Sequence, residues 1–190
     1  MTTRIQPWTE PELMDREHVF EARVEKALNK TMRQLTTEGF EDVLTAAATL
    51  PVDPMTEGSY SALQGAVMAS WTSQVDVSLY PFLTSTFDES ASRVVDGVQE
   101  ASGIVIDQLT GTYADEVLRY AYNRMVGIGE ALWLNIRDQL VEGYNAGEGI
   151  PEIAERLTQV AGLTTPRALT VARTEIISAA NNGTAARTFA

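Results

Sequence analysis

From Thr165 to Gly183 the small and apolar residues recur at spacings of three and four, and that period fits a helix. At about 100° per residue, Leu169, Ala172, Ile176, Ala179, Ala180 and Gly183 fall on one face. The face is narrow and built from small side chains, so a second helix can approach it closely. Arg167, Val171, Thr174, Ser178 and Asn181 stack on the other side, where they can hydrogen-bond one another or a partner surface. Thr165-Pro166 reads as the start of this helix: a hydroxyl N-cap, then proline where its missing N–H costs nothing.

The same period runs through the rest of the chain. Thr9-Glu10-Pro11-Glu12 is a capping box. It opens a helix whose apolar stripe is Phe20, Val24, Ala27, Leu28, Thr31 and Leu35. Past a bend at Gly39 the stripe resumes and ends at Pro51 and Pro54. Glu12–Arg16 is a favourable pair one turn apart, whereas Glu17–Glu21, Glu21–Glu25 and Lys26–Lys30 are like-charge pairs. Burial must therefore hold this helix. Pro51 to Gly58 reads as a linker. Further helices are expected from Tyr60 to a stop at Tyr80-Pro81, from Asp88 or Ser90 to Leu109, and from Tyr113 to Met125. Val126-Gly127-Ile128-Gly129 reads as a turn. Two more helices follow, from Leu132 to Tyr144 and from Ile150 to Val160, with Gly147 as a left-handed C-cap between them. Nothing carries a strand period beyond a few residues, and there is no internal repeat. The expected fold is all-α: an elongated multi-helix domain with an N-terminal helical arm over 1–50, a central helical region over 51–125 and a C-terminal helical unit over 126–190. The arm is expected to depend partly on a partner or a symmetry mate for its order.

Composition removes several kinds of chemistry. Without cysteine there is no disulfide framework and no thiolate metal site. The single histidine, His18, has ligand-like spacing to Asp15 and Glu21, but a carboxylate-bridged dimetal bundle needs two Glu-x-x-His units. No metal and no cofactor are expected. Gly127-x-Gly129 lacks the third glycine and the flanking strand of a dinucleotide site, and no GxxxxGK[ST] exists. No apolar run is long enough to cross a bilayer. The formal charge is −12. Residues 1–150 hold 10 Lys and Arg against 23 Asp and Glu, while residues 151–190 hold 4 against 3. That imbalance repels a phosphate backbone and leaves at most a local DNA contact near Arg167, Arg173 and Arg187. The tryptophans and tyrosines lack the interleaved cations of a stacking surface for single strands, so they read as core.

Ala172-Arg173-Thr174-Glu175, followed by Ala179, Asn181 and Gly183 and preceded by Arg167 and Ala168, resembles the signature helix of the Mu-F-like minor head proteins of tailed phages, also called head morphogenesis proteins. The stretch from Gly147 to Leu157 is similar to that family's upstream unit, a glycine turn and then a short helix. Together the resemblance covers roughly residues 126 to 189. Family members usually continue into a segment with a tryptophan and a histidine. This sequence stops at Ala190, and the expectation is a longer natural chain or an absent half.

The resemblance implies a structural, non-enzymatic role at the portal vertex inside the capsid, with the host cytoplasm as the place of assembly. The implied partners are the portal protein and also scaffold or major capsid protein, with several copies around the portal, no membrane, and an influence on DNA packaging or ejection. An alternative is a targeting or delivery module of a longer chain with a C-terminal enzyme or toxin domain. A helical connector sharing the helix by chance is a third. Arg167, Ala172, Arg173, Thr174, Glu175, Asn181 and Gly183 are the motif residues, structural or partner-binding. The expected arrangement has Arg173 or Arg167 and Glu175 bonding loop backbone, with Thr174 and Asn181 holding the neighbouring helix.

Overall fold

A computed structural model describes residues 8–35, 57–102 and 112–188, which are helical almost throughout and contain no strand. In chain order the elements are α1 (Glu10–Gln34), α2 (Glu57–Gln74), a π turn (Val75–Leu79), α3 (Tyr80–Ser102), α4 (Thr112–Asn145), α5 (Ile150–Thr158) and α6 (Val160–Thr188). The fold is all-α, as the periodicity requires. The expected Gly39 bend and most of the Pro51–Gly58 linker lie outside the described residues.

Local chemistry accounts for the ends. At the start of α1 the Glu12 carboxylate accepts from both the Thr9 backbone N–H and the Thr9 hydroxyl, each at 2.8 Å. After α4, Gly147 takes φ 70, and the Glu148 N–H reaches back to the Gly143 carbonyl at 3.0 Å. Arg156 then grips Glu148 through two parallel bonds of 2.5 and 2.7 Å, fixing the turn that delivers α5.

Three expected breaks are absent. Tyr80-Pro81 does not stop its helix. The π turn widens the ladder just before it, with the Tyr80 N–H bonding the Val75 carbonyl, and α3 continues through Pro81. Pro166 lies inside α6, which begins at Val160 and not at Thr165. There the Thr164 and Thr165 hydroxyls turn back onto the Val160 and Ala161 carbonyls at 3.1 and 2.7 Å. Gly127 and Gly129 do not form a turn, and α4 runs straight through them and across the expected 125/126 boundary. Packing explains Gly129: an added Cβ would sit 2.5 Å from the Trp71 ring. The buried Trp71 indole N–H donates to the Met125 carbonyl at 2.7 Å, using the second lone pair of an oxygen already inside the helix ladder.

One continuous core joins all six helices. The expected stripe of α1 is buried, from Phe20 through Leu35. Over its described residues α1 is therefore packed into the shared core, not held away from it as an arm. The core centres on α6, which touches α1, α3, α4 and α5. Its buried face is Ala168, Ala172, Ile176, Ala179, Ala180 and Gly183, close to the face expected from spacing. At Gly183 a Cβ would lie 2.3 Å from the Phe87 carbonyl oxygen of α3.

Two kinds of glycine should respond oppositely to alanine. Gly183→Ala and Gly129→Ala, forced against backbone and an aromatic ring, are expected to cost about 1–3 kcal/mol each. Gly65→Ala has open space around it and should stabilise the fold by about 0.5–1 kcal/mol. Urea unfolding followed by far-UV circular dichroism measures both signs.

Candidate docking surfaces

The motif residues divide into those that build the frame and those that face outward. Ala172 and Gly183 lie on the contact face of α6. Glu175 shares it: three residues after Ala172 and four before Ala179, its side chain is 2% exposed. It meets Arg124 of α4, whose Nε lies 2.9 Å from Oε1. The distance suits a hydrogen bond but the N–H is not aligned with the oxygen, so Oε1 has no hydrogen-bond partner. Burial pushes the Glu175 carboxyl above its ordinary range, and Arg124 works against that shift.

Arg173 leaves the opposite flank of α6 and binds Glu17, at 3.0 Å, and Glu21 of α1. The like-charge pair that weakens α1 in isolation is thus the receptor for a cation from α6. These bonds raise the Arg173 guanidinium further, the one to Glu21 most. Thr174 returns its hydroxyl to the Thr170 carbonyl at 2.9 Å, and Arg167 and Asn181 are exposed. The expected bonds from Arg173 and Glu175 to loop backbone are replaced by ion pairs to two helices. Thr174 bonds within its own helix and does not hold a neighbour. A neutral hydrogen bond between α4 and α6 is instead made by Asn135, whose Nδ2–H donates to the Thr164 hydroxyl at 2.9 Å. Sequence reasoning missed Arg124, although the spacing of Glu175 to Ala172 and Ala179 already implied a buried carboxylate that needed a cation.

A second cluster fixes Trp8 and the start of α1. The Arg16 and Arg93 guanidinium groups both lie over the Trp8 ring, 4.3 and 3.9 Å from its centroid, and its N–H donates to the Ser90 hydroxyl. Arg16 pairs with Glu89 and donates to the Thr86 hydroxyl at 3.0 Å. Arg93 holds both oxygens of Glu12 at 3.1 and 3.2 Å. Glu12 and Arg16 therefore reach across to α3, not to each other as their spacing suggested. Arg93 and the two Thr9 donors hold the Glu12 carboxyl at about 2. His18 is exposed, Glu21 is engaged by Arg173, and no group of three metal-ligating side chains exists among the described residues.

Facing outward, a cleft of about 600 Å³ runs between α1 and the π turn, with Val19, Ala22 and Val77 beside Arg23, Lys26 and Lys30. Val77, carried out by the π turn, is 68% exposed. Arg23 is partly tied down, its Nη1 donating to the Ser78 carbonyl at 3.4 Å. Lys26 and Lys30 are the only lysines in the chain. An apolar floor beside cations fits an amphipathic segment with acidic flanks. Of the cations expected to meet an anion, Arg173 is engaged by α1 and the Arg187 side chain lies outside the described residues. The spacing of Arg23, Lys26 and Lys30 was the signal for this site. No family model matches the chain, and no curated protein or solved structure shows significant similarity to it.

The two carboxylates should titrate with opposite signs. Glu12, depressed from 4.5 to about 2, supports docking of the N-terminal end fully above 4.5 and loses it as pH falls toward 2. A red shift in tryptophan emission over that window, absent in both Trp8→Phe and Glu12→Gln, measures it. Glu175, raised, favours the fold below its ordinary value and loses that contribution as pH rises. Arg124→Gln should therefore cost about 1–3 kcal/mol at neutral pH, with Arg124 partly solvated, and less in acid. Adding Glu175→Gln should recover most of the loss in chemical unfolding.

Proposed function

We propose that this chain is a minor head protein that docks on the portal at the inner side of a tailed-phage capsid, acting in head assembly and in DNA packaging or ejection. The observation that carries the reading is the use made of the motif in α6. Its charged residues tie α6 to α1 and α4, and its small residues set the distance to α3. The motif thus specifies a frame, as a docking module requires. Arg173 and Glu175 converge on ion-pair partners and not on a shared reacting position.

A frame of this kind presents helix faces to a partner, and the cleft beside α1 is the docking feature on this reading. Its cations match a portal surface with acidic side chains around an apolar anchor. The acidity of the rest of the chain limits adhesion to packaged DNA.

Lys26 and Lys30 make the reading directly testable, because an amine-reactive crosslinker can attack no other side-chain amine. On assembled particles, mass spectrometry should find links from these lysines to the portal protein. Links only to tail or outer-shell proteins reject the reading. Lys26→Glu with Lys30→Glu should lower incorporation into particles about tenfold while leaving the helical content unchanged.

A further inference from the structure

We propose that the outer face of α4 pairs with the same face of a second copy of this chain, in antiparallel orientation. Most of α4 is anchored inward, through Met125, Leu132, Ile136 and Leu140. On its outer side Tyr120, Leu134 and Val141 are 63, 48 and 40% exposed, at separations that are multiples of seven. Tyr144, one turn beyond, is 47% exposed. Single exposed apolar residues need no explanation, but three at multiples of seven on one helix, with Tyr144 beside the last, form a seam. A seven-residue spacing is the one that keeps a row facing a partner helix along its length. Gly127 fills the remaining place in the row, and an added Cβ there would meet nothing within 4 Å, so it is a notch.

The occupant follows from charge and symmetry. Glu130 and Arg137, both exposed, flank Leu134 along the seam with opposite signs. Among the described residues Arg137 has only a loose contact of 3.8 Å, to its neighbour Asp138. A parallel copy would set Glu130 beside Glu130 and Arg137 beside Arg137. Reversal removes both repulsions. It lays Arg137 across the partner's Gly127, one turn from the partner's Glu130, and sets Tyr120 against the partner's Tyr144. The arrangement is two-fold, with Leu134 opposite the partner's Glu130, and spans about 36 Å at 1.5 Å per residue. This inference is independent of the portal reading, since it concerns the isolated chain.

Sedimentation velocity of the full chain should show a reversible dimer with a dissociation constant of about 10 µM. Glu130→Arg should weaken it at least about tenfold, and adding Arg137→Glu should restore it. Orientation is read separately, because the chain has no cysteine. After mild oxidation Tyr120→Cys should crosslink to Tyr144→Cys in a mixture, while neither variant crosslinks to itself. A monomer at about 100 µM, a dimer indifferent to Glu130→Arg, a charge-swapped pair that fails to reassociate, or self-crosslinking of either cysteine variant would each overturn the proposal.

Discussion

Contact between the backbone of α3 and the Cα of Gly183 sets the scale of the whole assembly. Where a side chain would lie 2.3 Å from the Phe87 oxygen, only hydrogen fits, so the two helices meet without an intervening side-chain layer. Alanines 172, 179 and 180 keep the same buried face of α6 small along its length. A helix so close to α3 can also touch α1 and α4, and each carries the counter-charge for one residue of α6. Had the face been built from leucines, the wider spacing would carry Glu175 away from Arg124 and Arg173 away from Glu17 and Glu21. Packing geometry comes first here, and the ion pairs depend on it.

The two ion pairs of α6 do different physical work. Arg173 meets its carboxylates at the surface, where water competes and the net gain is small; its role is to fix which face of α1 is presented. Glu175 is desolvated and incompletely bonded, a costly arrangement that persists only because Arg124 is close. Buried charge of this kind penalises alternative packings more than it stabilises the native one, since any register that separates the pair leaves a bare carboxylate in the core. Specificity of the α4–α6 register is the consistent interpretation.

Periodicity made the all-α class, the stripe of α1, the buried face of α6 and the Gly147 cap legible in the sequence, because each depends on local spacing. The misread breaks share one cause. Pro81, Pro166, Gly127 and Gly129 are breakers by local rules, yet each sits inside a continuous helix. Threonine hydroxyls beside Pro166, a π turn before Pro81 and the Trp71 ring against Gly129 compensate from positions that a window of a few residues does not weigh. Ion pairs were misassigned for the same reason. Glu12 and Arg16 are neighbours on one helix turn, but their partners Arg93 and Glu89 lie 81 and 73 residues away in sequence, and only the tertiary fold brings them within reach.

The distribution of cations then explains why some surfaces differ from the rest. In a chain of formal charge −12, half of the arginines with described side chains are drawn into pairs between elements or at turns: Arg16 and Arg93 around Trp8, Arg124 and Arg173 beneath and beside α6, Arg156 at the α4–α5 turn. Acidic side chains consequently outnumber basic ones among the exposed described residues. Against that background Lys26 and Lys30 beside an apolar cleft, and Arg137 within an apolar seam, are departures that internal pairing does not account for. A long-range field of one sign suppresses non-specific association, so short-range contact is favourable chiefly where apolar surface and opposite charge coincide. The cleft on α1 and the seam on α4 are two places where both conditions hold.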